Sequence, residues 1–414
     1  MNHVLQGVAV LMVVRLAGEL FLAILNCREV RRNRPSPPAP LLAIMDVPTF
    51  QKAADYTVAR LKFQMVETVF ATLVLALVVF GAILPTLFSR IAAWSPGAAK
   101  WDDALFVLVS AVLVGIPGLP FEWWSQFRLE ARFGFNKSTP GLWVVDRIKA
   151  LLLTFAIGFP LLWGLLSLVG VVGRFWWIWG FGLFFAFQLL MLVLYPKLIL
   201  PLFNKLTPLA DDSLRNRLMA LADRTGFKAK AIEVMDGSKR SGHSNAFFTG
   251  FGRFRRIVLF DTLIAQLTPE ELEAVLAHEV GHYRRGHIPK MLLVSAALQF
   301  MGFALIAWLA QSSWFNPAFG FPEGELAPAF LLFGLLSGLV TFWLTPISNV
   351  FSRKHEFEAD RFAREAMNGP TAMVSALHKL AQKNLSNLTP HPWYSGFHYS
   401  HPTMVERERA LLAS

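Results

Sequence analysis

The sequence predicts a mostly α, multi-span membrane protein: seven transmembrane helices carrying one small α+β domain on the cytoplasmic side. Three observations lead there. The 414 residues are 54% hydrophobic and only 16% charged, with mean hydropathy +0.46, far from an average soluble composition. Six stretches contain no Asp, Glu, Lys or Arg, and each has the roughly 18 residues or more that cross a bilayer. One polar segment, 197–290, interrupts them with mixed helical and alternating patterns.

The first span, 4–25, carries Arg15 and Glu19 four residues apart on one helical face. Charges at membrane depth are costly, so a mutual ion pair is expected. The start lacks a basic leader and a small-residue cleavage site, which favours a retained span over a removed signal peptide. Residues 34–40, RPSPPAP, read as a stiff, extended linker. The charge-free spans are 68–88, 104–121, 150–173, 175–196, 291–322 and 326–352, making seven in all.

The connecting segments set the orientation. Segments 27–67 and 122–149 lie on one side and hold twelve Lys/Arg; the opposite side has only Arg90, Lys100 and Arg174. The basic side is expected to face the cytoplasm, and both 197–290 and 353–414 fall there. The chain then divides into an N-terminal membrane region with five spans (1–196), a cytoplasmic domain (197–290), two further spans (291–352) and a C-terminal cytoplasmic segment (353–414). This asymmetry accounts for the net charge of +11. No nucleic-acid motif is visible, and nucleic acid is not expected as a partner.

Within 197–290, residues 212–225 have helical periodicity, and AIEVMD (231–236) and RIVLFD (256–261) read as strands. Between them, 241–250 alternates like an edge strand, which near a reactive centre can hold an extended peptide through main-chain hydrogen bonds. Cys27 is the single cysteine, which excludes an intrachain disulfide and a cysteine-based metal site. Any metal must use His and carboxylate ligands.

The most informative stretch is 268–287, TPEELEAVLAHEVGHYRRGH. Thr268 suits a helix N-cap, Pro269 the first helical position, and Glu271 completes a capping box. Leu267 and Leu272 are placed for a hydrophobic staple, and Leu272, Val275, Leu276 and Val280 form an apolar stripe. Gly286 is a plausible end. The helix puts His278 and His282 on one face with Glu279 between them, the H-E-x-x-H pattern of a Zn²⁺ site with a neighbouring general base. A third ligand is needed. After the last span, 352–363 reads SRKHEFEADRFA, where Glu356 and Asp360 share a helical face. One carboxylate there can bind metal while the other orients a ligating histidine. Spacing alone leaves Glu356 and Glu358 both open as the ligand. These positions keep the site within roughly 15 Å of the membrane face at about 1.5 Å per helical residue.

Several motifs in order resemble one family. H-E-x-x-H followed by E-F-x-A-D-x-F-A after a membrane span is similar to the type I CAAX prenyl endopeptidases, integral membrane zinc proteases. Pro120-Phe121 through Gly134-Phe135-Asn136-Lys137 resembles their segment ending in GFNK. Pro196 with Pro201-Leu202-Phe203-Asn204, Ser244-Asn245-Ala246-Phe247 with Gly250, and His398-Tyr399-Ser400-His401-Pro402 with Glu406-Arg407 resemble further family motifs. The resemblance covers nearly the whole chain.

The resemblance implies one Zn²⁺ per chain held by His278, His282 and Glu356. It implies an endopeptidase in which Glu279 is the general base toward the attacking water. Asp360 becomes either the carboxylate that orients a ligand or a proton donor. Asn245 and His401 become candidates for substrate binding or oxyanion stabilisation, and Arg407 for holding a substrate carboxylate or the site itself. The implied fold is seven helices around a large water-filled chamber. The implied substrates are peptides or lipidated proteins at the membrane lipid, cleaved near the C-terminus of prenylated C-a-a-X sequences. The membrane would be the bacterial inner membrane or that of the endoplasmic reticulum, depending on the organism. The alternatives are a membrane quality-control protease without prenyl preference and a transporter with a structural zinc.

Overall fold

The computed structural model describes residues 2–94, 100–249 and 256–413; Gly250 lies outside the described residues. The chain is mostly helical. Helix α1 (His3–Asn33) begins at Asn2, whose side-chain oxygen accepts a hydrogen bond from Leu5 N at 2.8 Å. Helix α2 (Val47–Phe80) begins at Asp46 in the same way, with Pro48 in its first turn. There follow α3 (Ile83–Trp94), α4 (Trp101–Gly115), α5 (Pro140–Val172) and α6 (Trp176–Leu194). Six stretches are long and apolar enough to cross a membrane: His3–Asn33, Val47–Phe80, Trp101–Phe133, Pro140–Phe203, His287–Gln311 and Leu326–Ala366. Their outward faces carry Leu73, Leu77, Val171 and Leu293, all exposed, as lipid-facing surfaces do. Inward, Phe106, Leu165, Leu166, Phe303, Leu331 and Leu332 form one core.

Several helices overrun the charge-free windows. The basic segment 27–67 is largely helical, because α1 continues to Asn33 and α2 starts at Val47. The linker 34–40 is not extended throughout: Ala39–Ala43 is a 3-10 turn behind Pro38. The expected ion pair in α1 forms, with Arg15 Nε donating to Glu19 Oε1 at 2.8 Å.

In the middle of the chain, α7 (Asp212–Arg224) and four strands are present: β1 (Leu206–Pro208), β2 (Ala231–Met235), β3 (Ala246–Thr249) and β4 (Arg256–Phe260). They form one sheet in the order β1-β2-β4-β3. The β2–β4 pair is parallel and the outer two pairs are antiparallel. So β3 is an edge strand, paired on one side only among the described residues, with Ala246 opposite Leu259. Leu218, Leu221, Ile257, Leu259 and Leu263 are buried between sheet and helices.

The longer helices of the second half, with two short ones near the C-terminus, are α8 (Pro269–Arg284), α9 (His287–Gln311), α10 (Leu326–Thr341), α11 (Thr345–Ala366), α12 (Thr371–Lys383), α13 (Pro392–His398) and α14 (Met404–Ala413). A 3-10 turn at Phe342–Leu344 joins α10 to α11, so a lipid-facing helix runs on directly into the acidic stretch. The C-terminal segment is tied back onto the first helices. Asn26 Oδ1 accepts from His391 N at 3.0 Å, and Gln382 Nε2 donates to Ile44 O at 2.5 Å.

Candidate active site

Helix α8 is specified locally at both ends. Thr268 accepts a hydrogen bond from Glu271 N at 3.3 Å, and the Glu271 carboxylate accepts one from Thr268 N at 2.8 Å. That closes the capping box and satisfies two helix-terminal donors. Glu271 is itself buried and receives Ser375 Oγ at 2.6 Å and Lys379 Nζ at 2.8 Å, which fixes α8 to α12. At the other end Gly286 takes φ +68°, a left-handed conformation that ends α8 and lets α9 begin at His287. Leu272, Leu276 and Val280 face the sheet core. His278 and His282 face α11, where Glu356, Ala359, Asp360 and Ala363 are buried.

The two helices bring three ligand-type atoms together. His278 Nε2 and His282 Nε2 are 3.3 Å apart. Glu356 Oε2 lies 3.4 Å from His278 Nε2, and Glu356 Oε1 lies 3.3 Å from His282 Nε2. His278, His282 and Glu356 each offer one ligand atom, all within 4.8 Å of one another. Glu356 Oε2 is buried and has no hydrogen-bond partner. A buried carboxylate oxygen without a partner is costly, and a cation between these atoms would satisfy it. Two imidazole nitrogens and one carboxylate oxygen fit a zinc-type ion with an open coordination position.

A surrounding layer of polar groups holds the three. Asp360 Oδ1 is 2.8 Å from His278 Nδ1. Arg407, on α14, grips the same carboxylate with Nη2 on Oδ1 at 2.6 Å and Nε on Oδ2 at 2.8 Å. Burial alone would lower the His278 pKa; the carboxylates of Asp360 and Glu356 beside its two ring nitrogens outweigh it and push it up to about 9. Glu279 is half-buried, and that burial raises its carboxyl above the ordinary range. His401 Nε2 comes within 3.4 Å of Glu356 Oε1 while its side chain stays 63% exposed, at the mouth of the cluster. Asn245 is exposed at the start of β3; its Oδ1 accepts from Ala246 N at 2.8 Å, and β3 packs against α8. Among the described residues, no hydrogen bond joins Asn245 or Glu279 to the ligand-type atoms. A cavity of about 470 Å³ opens beside the site, lined by Leu377, Asn384, Tyr399, His401 and Arg407 among others.

One residue of this layer, His287, has no role in the sequence reading. His287 Nδ1 is 2.9 Å from His282 Nδ1, and His287 Nε2 is 2.9 Å from Glu358 Oε2. Glu356 and Glu358, equivalent by spacing, therefore face different partners. The signal that separates them is the stripe 356, 359, 360, 363, the i, i+3, i+4, i+7 set of one buried face; Glu358 lies off it.

Residues 26–205 match the family described as CAAX prenyl protease N-terminal, five membrane helices, and residues 208–414 match peptidase family M48. The CAAX prenyl protease 1 homolog of Oryza sativa subsp. japonica is 34% identical, over 98% of this chain and 97% of its own length. The CAAX prenyl protease 1 of Saccharomyces cerevisiae is 36% identical, over 89% and 86%. A crystal structure of S. mikatae Ste24p superposes with a TM-score of 0.90 at 34% identity, covering 98% of this chain and 97% of that one. With similarity at this level along nearly its whole length, in sequence and in fold, the chain belongs to the CAAX prenyl protease family, membrane metalloendopeptidases of peptidase family M48.

Proposed function

We propose that the chain is a zinc-dependent endopeptidase that cleaves near the C-terminus of prenylated C-a-a-X proteins. The observation that carries the reading is the convergence of His278, His282 and Glu356 around an unpartnered buried carboxylate oxygen, with Glu279 beside them on the same helix. The relatives named above supply the substrate class.

His278, His282 and Glu356 would hold the Zn²⁺, which would supply Lewis acidity toward a water and a carbonyl. Glu279 takes the proton of the attacking water and passes it to the leaving amine. Asp360 accepts from His278 Nδ1–H and so turns the Nε2 lone pair toward the site; Arg407 keeps Asp360 ionised and in place. Orientation, rather than proton donation, is the role that a carboxylate gripped twice by Arg407 suits. The free edge of β3 takes the substrate as an added strand, with Asn245 at its start. Asn245 and His401 are the groups that stabilise the oxyanion in this reading.

The membrane arrangement belongs to the same reading. Dividing Pro140–Phe203 at Gly173, where α5 gives way to α6, turns six long apolar stretches into seven spans. The sheet with α7 and α8 forms a small α+β domain within 197–290, between membrane regions 1–196 and 291–352, and 353–414 completes the site. The excess of Lys/Arg in 27–67 and 122–149 supports a site on the cytoplasmic face, of the endoplasmic reticulum or the bacterial inner membrane. The test is cleavage of prenylated and unprenylated peptides of identical sequence by the purified chain, with and without a chelator. Chelator-sensitive cleavage of the prenylated peptide alone is expected. Equal cleavage of both would remove the prenyl specificity, and no cleavage of either would remove the enzyme.

A further inference from the structure

His287 is 1% exposed, lies just past the turn that ends α8, and is not one of the three residues of the cluster. Its two ring nitrogens are both engaged: Nε2 with Glu358 Oε2 at 2.9 Å, and Nδ1 with His282 Nδ1 at 2.9 Å. Its ring is stacked on His355, with centroids 4.0 Å apart and planes at 15°. Position and plane are therefore both fixed.

The donor and acceptor roles follow from chemistry. A carboxylate only accepts, so the nitrogen facing Glu358 carries the hydrogen. In a neutral imidazole the other nitrogen is then an acceptor. His287 Nδ1 accepts, so His282 Nδ1 must donate. A His282 ring with its hydrogen on Nδ1 has its lone pair on Nε2, the atom that faces His278 and Glu356. With a hydrogen on His287 Nδ1 instead, the proton of His282 would sit on Nε2 and block that atom. Asp360 does the same for His278 from the opposite side of the cluster.

We propose that His287, held by Glu358, is a positioning residue for metal binding: it locks His282 in the tautomer and orientation that present Nε2 to the ion. The proposal rests on the reading of His282 as a metal ligand. The pair His287–Glu358 thus parallels the pair Asp360–Arg407, with one support behind each ligating histidine.

The test is the Zn²⁺ dissociation constant of the full chain, measured in detergent by competition with a fluorescent chelator. His287→Phe keeps a flat ring but offers no acceptor; binding should weaken by about 10- to 100-fold, the usual loss when such a partner is removed. His287→Asn restores an oxygen near the Nδ1 position and should recover most of the affinity, a rescue that simple loss of packing would not show. Glu358→Ala leaves the His287 ring in place without its anchor and should fall between these. Its side chain is 32% exposed, so it keeps the test available if His287→Phe fails to fold. His282→Ala serves as the reference. If His282→Ala abolishes binding while His287→Phe and Glu358→Ala bind like the parent, the positioning role is wrong and the ligand reading stands. If His287→Asn is as weak as His287→Phe, the effect is packing and the proposal falls. If His282→Ala leaves binding unchanged, the ligand reading itself fails and takes the proposal with it.

Discussion

Gly281 packs directly against Ala359: a β-carbon built on Gly281 would stand 3.0 Å from Ala359 Cα, 3.1 Å from Ala359 O and 3.1 Å from Phe362 Cβ. The first two are contacts with backbone, which has no rotamer to swing aside. The close approach of α8 and α11 is what lets Glu356 reach both histidines. Gly281→Ala would gain about 1 kcal/mol of helix propensity but must pry the helices apart, at a typical overpacking cost of about 1–3 kcal/mol. A net destabilisation and a weaker metal site are expected. Thermal unfolding of the metal-free chain, together with Zn²⁺ affinity, checks this; a more stable variant with parental affinity would contradict it.

Glu279 is the proposed base, and it makes no hydrogen bond to the ligand-type atoms among the described residues. Removing its basicity should therefore leave metal binding intact. Glu279→Gln is expected to retain Zn²⁺ at parental stoichiometry while cleavage drops by about 10²- to 10⁴-fold, the range of general acid–base contributions. Metal analysis and peptide cleavage on the same preparation measure both. Near-parental cleavage would reassign the base.

How much of this site is legible in the sequence differs from residue to residue. Thr268, Pro269 and Glu271 mark the start of α8 and Gly286 its end, so the shared face of His278 and His282 follows from local rules. The strands at 231–235 and 256–260 and the edge position of β3 follow from alternation in the same way. Glu356 is legible only once Ala359 and Ala363 are recognised as the buried stripe that turns it inward. His287 is not legible from helical spacing, because it lies beyond Gly286 and a left-handed turn swings it back onto His282. Arg407 comes from a separate helix 47 residues after Asp360, and nothing local announces their pairing. Helix ends in the membrane region escape the charge-free windows for another reason. Those windows mark where a chain can lie in lipid, whereas α2 begins where Asp46 caps it.

Metal binding should depend on pH through His278. Without metal its ring lies between Asp360 and Glu356, and its pKa is pushed up to about 9. Below that value the ring carries a second proton, on the nitrogen that must be free for the ion. Binding must expel that proton, so acid weakens binding and rising pH strengthens it until the pKa is passed. For one displaced proton the apparent affinity should change about tenfold per pH unit between roughly pH 6 and 8.5. Zn²⁺ competition titrations across that range give the slope. A flat profile would mean that His278 is neutral before the metal arrives.

Arg407 and Asp360 form a buried, two-bonded ion pair, and a double substitution can separate its worth from the cost of breaking it. Their side chains are 13% and 2% exposed. Arg407→Met leaves a buried carboxylate with only His278 as partner, and breaking a buried pair from one side typically costs about 3–5 kcal/mol. Asp360→Asn instead leaves a buried guanidinium facing a neutral amide, which is costly for the same reason. The double variant removes both charges, while the amide oxygen introduced by Asp360→Asn still accepts from His278 Nδ1–H. Its loss of stability should be smaller than the sum of the two single losses by more than about 1 kcal/mol, within the coupling range for contacting residues. Metal affinity should separate from stability: Asp360→Asn keeps a neutral acceptor but loses the charge that strengthens the His278 bond, so the double variant recovers stability without regaining full metal affinity. Unfolding of the four chains in detergent, with Zn²⁺ affinity measured on each, tests both halves. Additive stability losses would show that Arg407 acts on the site independently of Asp360.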